Sequence, residues 1–206
     1  MSIENLLLLA AAYLLGAIPF GLLLTRWLTG KDPREFGSGN IGATNASRTG
    51  GKKVGLLTLI ADIAKGALPV AIAVQLAGNA PAGEWLIAAT AVAAFIGHIF
   101  PVYLQFKGGK GVATMFGVLI PWEPTVGLIA FAVWLLTLGI WRYVALASIL
   151  AGMTLPLAAW LLGASLPAIF ACMLFCALMT VRHRSNVERM LAGNENRIGS
   201  KEKRAA

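Results

Sequence analysis

Charge is scarce in this 206-residue chain: Asp, Glu, Lys and Arg make up 13% of it, roughly half the share usual in a soluble domain. Hydrophobic residues make up 58% and the mean hydropathy is +0.75, more apolar surface than a water-soluble fold of this size can hide. That imbalance excludes a soluble or nucleic-acid-binding protein and makes lipid the solvent. Histidine and cysteine number two each. No Ser-His-Asp or cysteine-histidine constellation and no metal-ligand spacing is evident. Cys172 and Cys176 lie four apart in an apolar run and read as buried free thiols. The first apolar run, Asn5 to Leu28, has no basic flank before it and no small-residue cleavage site after it. It reads as a membrane helix in place of a cleavable signal. No internal repeat is obvious, so the inverted repeats typical of many transporters are not visible in the sequence.

What the chain does have is long apolar runs, at roughly 5–28, 54–77, 85–106, 112–121, 125–141, 144–163 and 165–181. Runs of about 20 apolar residues cross a bilayer, and they must be helical because lipid cannot satisfy open backbone groups. The expectation is an all-α integral membrane protein, one polytopic domain over residues 1–206. The run at 112–121 is short. Counting it as a crossing puts every Lys and Arg except Lys65 on one side and leaves Glu4, Glu84 and Glu123 on the other. The positive-inside rule then predicts seven transmembrane helices, with the N-terminus outside and the C-terminus cytoplasmic. Trp27, Trp85, Trp122, Trp141 and Trp160 sit near run ends as interface anchors.

The polar segments cluster on the predicted cytoplasmic face. GSGNIGATN (37–45) contains the spacing Gly-x-Gly-x-x-Gly, but a dinucleotide fold needs a preceding strand and a βαβ unit, and here a membrane helix and GKDPREF precede it. KGGKG (107–111) is not a Walker A loop, since Gly111 stands where Ser or Thr would ligate magnesium. Both loops still suit anion binding, because glycines let amides converge on a phosphate and lysine adds a point charge. The candidate substrate- or phosphate-binding residues are Ser38, Gly39, Asn40, Thr44, Asn45 and Arg48 in the first loop, and Lys107, Gly108 and Gly109 in the second. Lys110, at the start of an apolar helix, is the candidate catalytic cation. His183 and Asn186, three apart in RHRSN, would share a helical face suited to positioning a hydroxyl or a carbonyl. Ser148 lies about one turn into the sixth run and within reach of the same face. Asp62 and Lys65 form the one charged pair at membrane depth, which suits either function or structure. A transporter of a phosphorylated metabolite would also use a cationic site, but it predicts basic or polar residues deep in several spans. A lipid-binding scaffold predicts basic patches without the glycine loops.

GSGNIGATNASR (37–48), FKGGKGVAT (106–114), Ser148 within RYVALAS and RHRSN (182–186) together resemble the bacterial acyl-phosphate:glycerol-3-phosphate acyltransferases, the PlsY family. ADIAKG (61–66) and GHIFP (97–101) extend the resemblance over essentially the whole chain. It implies a multi-pass enzyme of the bacterial inner membrane that moves a fatty acyl group from acyl phosphate to the sn-1 hydroxyl of glycerol 3-phosphate. The products would be lysophosphatidic acid and phosphate, with no metal and no cofactor. It further implies that Ser38 and its glycine neighbours cradle phosphate, and that Arg48, Lys110, Ser148, His183 and Asn186 fall on active-site positions. Ala145 departs from the pattern, standing where a second serine is common in the family.

Overall fold

The computed structural model describes residues 2–78 and 81–199. Lys201, Lys203 and Arg204, counted above on the cytoplasmic face, lie outside the described residues. Every regular element within them is helical: α1 (Ile3–Ala17), α2 (Phe20–Thr29), α3 (Ala43–Gly50), α4 (Lys52–Ala77), α5 (Pro81–Ile99), α6 (Val112–Trp122), α7 (Pro124–Trp141), α8 (Val144–Leu161), α9 (Leu166–Arg182) and α10 (Arg184–Leu191). Short 3₁₀ turns occupy Pro33–Glu35 and Val102–Leu104.

By length and hydropathy, four described helices can cross a membrane: α4, α5 with its continuation to Leu104, α7 and α8. Two bent pairs raise this to six if each is one span, α1 with α2 (40°) and α9 with α10 (50°). The first break falls at Ile18-Pro19, where proline can neither donate to the helix ladder nor avoid the preceding turn. The second falls at His183, where the apolar run gives way to basic residues. The seventh expected crossing corresponds to α6, whose 11 residues rise only about 16 Å, half a hydrocarbon core. The expected third span, 85–106, gives up its helix at Ile99 and ends in the 3₁₀ turn. Helix α3 was not anticipated from its polar, glycine-flanked sequence.

The chain forms two compact units, residues 1–124 and 125–206. In the first, α1 packs on α5 and α4 on α6 with backbones in close approach. A Cβ on Gly16 would overlap the Ala94 backbone, and one on Gly66 would meet the Thr114 carbonyl. Small residues at such crossings are how membrane helices gain contact when hydrophobicity does not drive them together. Leu56, Ile60, Leu68, Ile72 and Leu76 on α4 are exposed, the expected lipid-facing stripe. In the second unit α8 packs on α9, with Gly152 facing Met179, around buried Leu155, Phe175 and Met179.

Candidate active-site loops

The first glycine loop is built around one side chain. Asn45, in the first turn of α3 and 2% exposed, accepts from the Ser38 amide (3.0 Å). Its Nδ2 faces three carbonyls, Pro33 (2.7 Å), Asn40 (2.9 Å) and Phe36 (3.1 Å). Asn45 is therefore the staple of the loop, with its polar atoms spent on backbone. Gly37 has φ of +58°, and a Cβ there would strike the Asn45 oxygen, so only glycine fits. The Ser38 amide is consumed by Asn45, and the Gly39 amide donates to the Phe36 carbonyl (3.0 Å). The glycines thus shape the turn more than they offer amides. Ser38, Gly39 and Thr44 are exposed and Asn40 half-buried, and the stem of half-buried Arg48 lies beside Gly37.

An ionic knot anchors the approach to this loop. Asp32, at the start of the 3₁₀ turn, accepts from the amide and the guanidinium of Arg34 and from Arg26. The Arg34 guanidinium chiefly holds the Asp32 carboxyl well below the usual carboxylate range, against the opposing effect of its desolvation. A lowered folded-state value stabilises fully above the ordinary range, and the contribution is lost as pH falls through the folded value. The stability deficit of Asp32→Asn is accordingly expected to be constant between about pH 5 and 8 and to shrink below about pH 4. Thermal unfolding of both proteins in detergent across that range measures it; a deficit that grows on acidification would contradict the assignment.

The second loop follows α5. The Gly108 amide donates to the Ile99 carbonyl (3.2 Å) and the Gly109 amide to the His98 carbonyl (3.1 Å), closing the C-terminal end of that helix. Gly111, at φ +86°, is the N-cap of α6, and a Cβ there would collide with the Phe95 ring. Half-buried Lys110 is held between these two fixed ends. Gln105 and Phe106 just before the loop both adopt left-handed φ, a costly conformation for residues other than glycine. Arg34, which the sequence reading passed over, and exposed Lys107 share the lining of an open cavity of about 420 Å³ with Tyr103, Leu104 and Gln105.

The remaining predicted residues belong to the second unit. His183 caps α10 and is 3% exposed, with Nδ1 2.8 Å from the Met179 carbonyl. A nitrogen facing a carbonyl carries the proton, which makes Nε2 the acceptor nitrogen of the neutral ring. Asn186 sits one turn on, as its spacing predicted, and is 5% exposed. Its Nδ2 donates to Glu195 (2.8 Å), whose other oxygen accepts from Arg189 (2.7 Å). Sequence reasoning missed Glu195. Left-handed Gly193 reverses the chain after α10, and the amides of Asn194 and Glu195 return to the Arg189 carbonyl. Nothing in the local pattern pairs a residue nine positions away with Asn186. Ser148, 1% exposed, donates to the Val144 carbonyl (2.8 Å) and accepts from Trp134 Nε1 (3.3 Å), an arrangement that suits holding α8 against α7.

Comparison with known proteins identifies the family. Residues 6–193 match the family model described as glycerol-3-phosphate acyltransferase. The chain is 50% identical to the glycerol-3-phosphate acyltransferase of Syntrophotalea carbinolica over 93% of its own length and 96% of that protein. It is 42% identical to that of Methylococcus capsulatus over 95% and 96%. A crystal structure of PlsY, an integral membrane glycerol 3-phosphate acyltransferase in its glycerol 3-phosphate form, superposes with a TM-score of 0.89 at 42% identity, covering 95% of this chain and 96% of that one. Its lysophosphatidic acid form gives 0.86 at 40% identity with the same coverage. By the family match, the identities and the superposition of its helices, the chain belongs to the PlsY family of membrane glycerol-3-phosphate acyltransferases.

Proposed function

We propose that this protein transfers a fatty acyl group from acyl phosphate to the sn-1 hydroxyl of glycerol 3-phosphate without an acyl-enzyme intermediate. The hydroxyl oxygen attacks the acyl carbonyl carbon, the bond from that carbon to the phosphate oxygen breaks, and lysophosphatidic acid and inorganic phosphate are released. The hydroxyl proton passes either to His183 or to the departing phosphate. Acyl phosphate is already activated, so orientation and preorganised charge supply most of the catalysis and no nucleophilic side chain is needed. Lys110 and Arg48, with Ser38 and Lys107 beside them, serve as the phosphate-holding groups, and His183 and Asn186 orient the glycerol hydroxyl. The protein would work as one polytopic domain of the bacterial inner membrane, with seven crossings, N-terminus out and C-terminus in.

The observation that carries this reading is the setting of His183: the ring is 3% exposed and its Nδ1 lies 2.8 Å from the Met179 carbonyl, which fixes the orientation of an imidazole suited to aiming or deprotonating a hydroxyl. The related structures solved in glycerol 3-phosphate and lysophosphatidic acid forms support the acceptor and product. The charged residues that a transporter would need at depth are, among the described residues, the Asp62–Lys65 pair, and those side chains lie 2.9 Å apart as a mutual ion pair. Purified protein mixed with palmitoyl phosphate and glycerol 3-phosphate is expected to release phosphate, with none released from either substrate alone. Phosphate release from palmitoyl phosphate alone, or a trapped covalent acyl-enzyme, would overturn direct transfer.

A further inference from the structure

A buried polar chain runs through the first unit and ends on the Lys110 loop. Lys65 and Asp62 on α4 are 2% and 3% exposed, and their Nζ and Oδ1 atoms lie 2.9 Å apart. Lys65 also donates to the Ile18 carbonyl (2.8 Å), the carbonyl at the proline break between α1 and α2. On its other side Asp62 Oδ1 lies 3.8 Å from His98 Nδ1, and the same nitrogen is 3.1 Å from the Thr114 hydroxyl in the first turn of α6. The His98 carbonyl accepts the Gly109 amide. The opposite edge of the ring lies against Gly109 itself, since a Cβ on that glycine would fall on His98 Nε2. The 5% exposed His98 side chain therefore touches both the glycine before Lys110 and the helical turn after it.

An ion pair in a low-dielectric interior is rarely favoured over apolar side chains of similar volume. Stability alone is a weak reason to place four polar side chains here. We infer that His98 is a positioning residue: held by Thr114 and packed beside the Asp62–Lys65 pair, it sets the height of residues 108–111 and so the place of the Lys110 ammonium. This rests on Lys110 holding phosphate, as proposed above. Displacing a substrate-holding group by about 1 Å can cost on the order of 100-fold, so a loop that carries one needs support of this kind.

The contacts to Thr114 and Asp62 use Nδ1, whose place an asparagine amide can take and leucine cannot, whereas the Nε2 edge against Gly109 is lost in both. In detergent-purified enzyme, His98→Leu is expected to raise both the KM for one phosphate-bearing substrate and the inhibition constant of inorganic phosphate at least about tenfold. The kcat should change less than about threefold, and His98→Asn should restore the part of the loss that runs through Nδ1 and Thr114. Gly109→Ala is expected to be similarly impaired, whereas Gly109→Ala combined with His98→Ala should be no worse than His98→Ala alone, because the collision is gone. Unchanged KM and phosphate inhibition in a folded His98→Leu, or independent multiplication of the Gly109 and His98 effects, would overturn the inference. The double-mutant comparison decides the matter even if His98→Leu fails to fold. Assays run in parallel with palmitoyl phosphate and palmitoyl-CoA separate the two proposals. Wild-type activity with the thioester alone rejects the acyl phosphate donor and leaves the His98 comparison to be read with the thioester.

Discussion

Lys110→Ala is expected to lower acyl transfer by about 10²–10³-fold, the loss typical when one preorganised charge or donor is removed from a site. The loop backbone around it is fixed by the Gly108 and Gly109 amides on one side and by Gly111 on the other. Truncating the side chain therefore removes the ammonium without releasing the turn. The KM for a phosphate-bearing substrate should rise and kcat fall. Lys110→Arg keeps the charge but changes its reach and shape, and should recover only part of the activity. His183→Ala is expected to lose about 10²–10⁴-fold, mainly in kcat. Near-wild-type transfer by either alanine variant would remove that residue from the mechanism.

The second large effect is expected from Asn45, through architecture. Asn45→Ala strands the Ser38 amide and takes the Nδ2 donor from the carbonyls of Pro33, Phe36 and Asn40. Each buried polar group left without a partner costs about 1–3 kcal/mol. The loop surface is open enough for water to reclaim some of them, so a total destabilisation of about 2–4 kcal/mol is expected. Activity should fall with it, since Ser38 and Arg48 lose the turn that holds them. Asn45→Asp separates donor from acceptor: it keeps the oxygen that receives the Ser38 amide but turns a carboxylate towards three carbonyls. It should be at least as damaging as alanine. Thermal unfolding together with kcat/KM measures both variants, and an Asn45→Asp protein with parental stability would show that the three carbonyl contacts contribute little.

Much of this protein is legible without coordinates, because its solvent is lipid. A mean hydropathy of +0.75 permits little but membrane helices, and the i,i+3 spacing of Asp62 with Lys65 and of His183 with Asn186 projects directly onto helix faces. The motifs at 37–48, 106–114 and 182–186 announced the family for a similar reason: glycines and basic residues stand out against an apolar background.

Tertiary structure decided what those motifs do locally. The glycine loops read as rows of amides for an anion, yet the amides of Ser38, Gly39, Gly108 and Gly109 are turned onto protein oxygens. Their exposed offering is side chains. Asn45 reads as one more ligand and is the staple of its loop. Helix α3 escaped notice because eight polar and small residues carry no apolar period. Glu195 reaches Asn186 only because Gly193 reverses the chain. His98 gains Thr114 from 16 residues away and Asp62 from 36, separations at which no periodicity operates. Composition and spacing determine which residues can lie in lipid and which share one helix, since both follow from local geometry and transfer energy. Which polar atom satisfies which other depends on backbones brought together across the fold, and that only the tertiary structure decided.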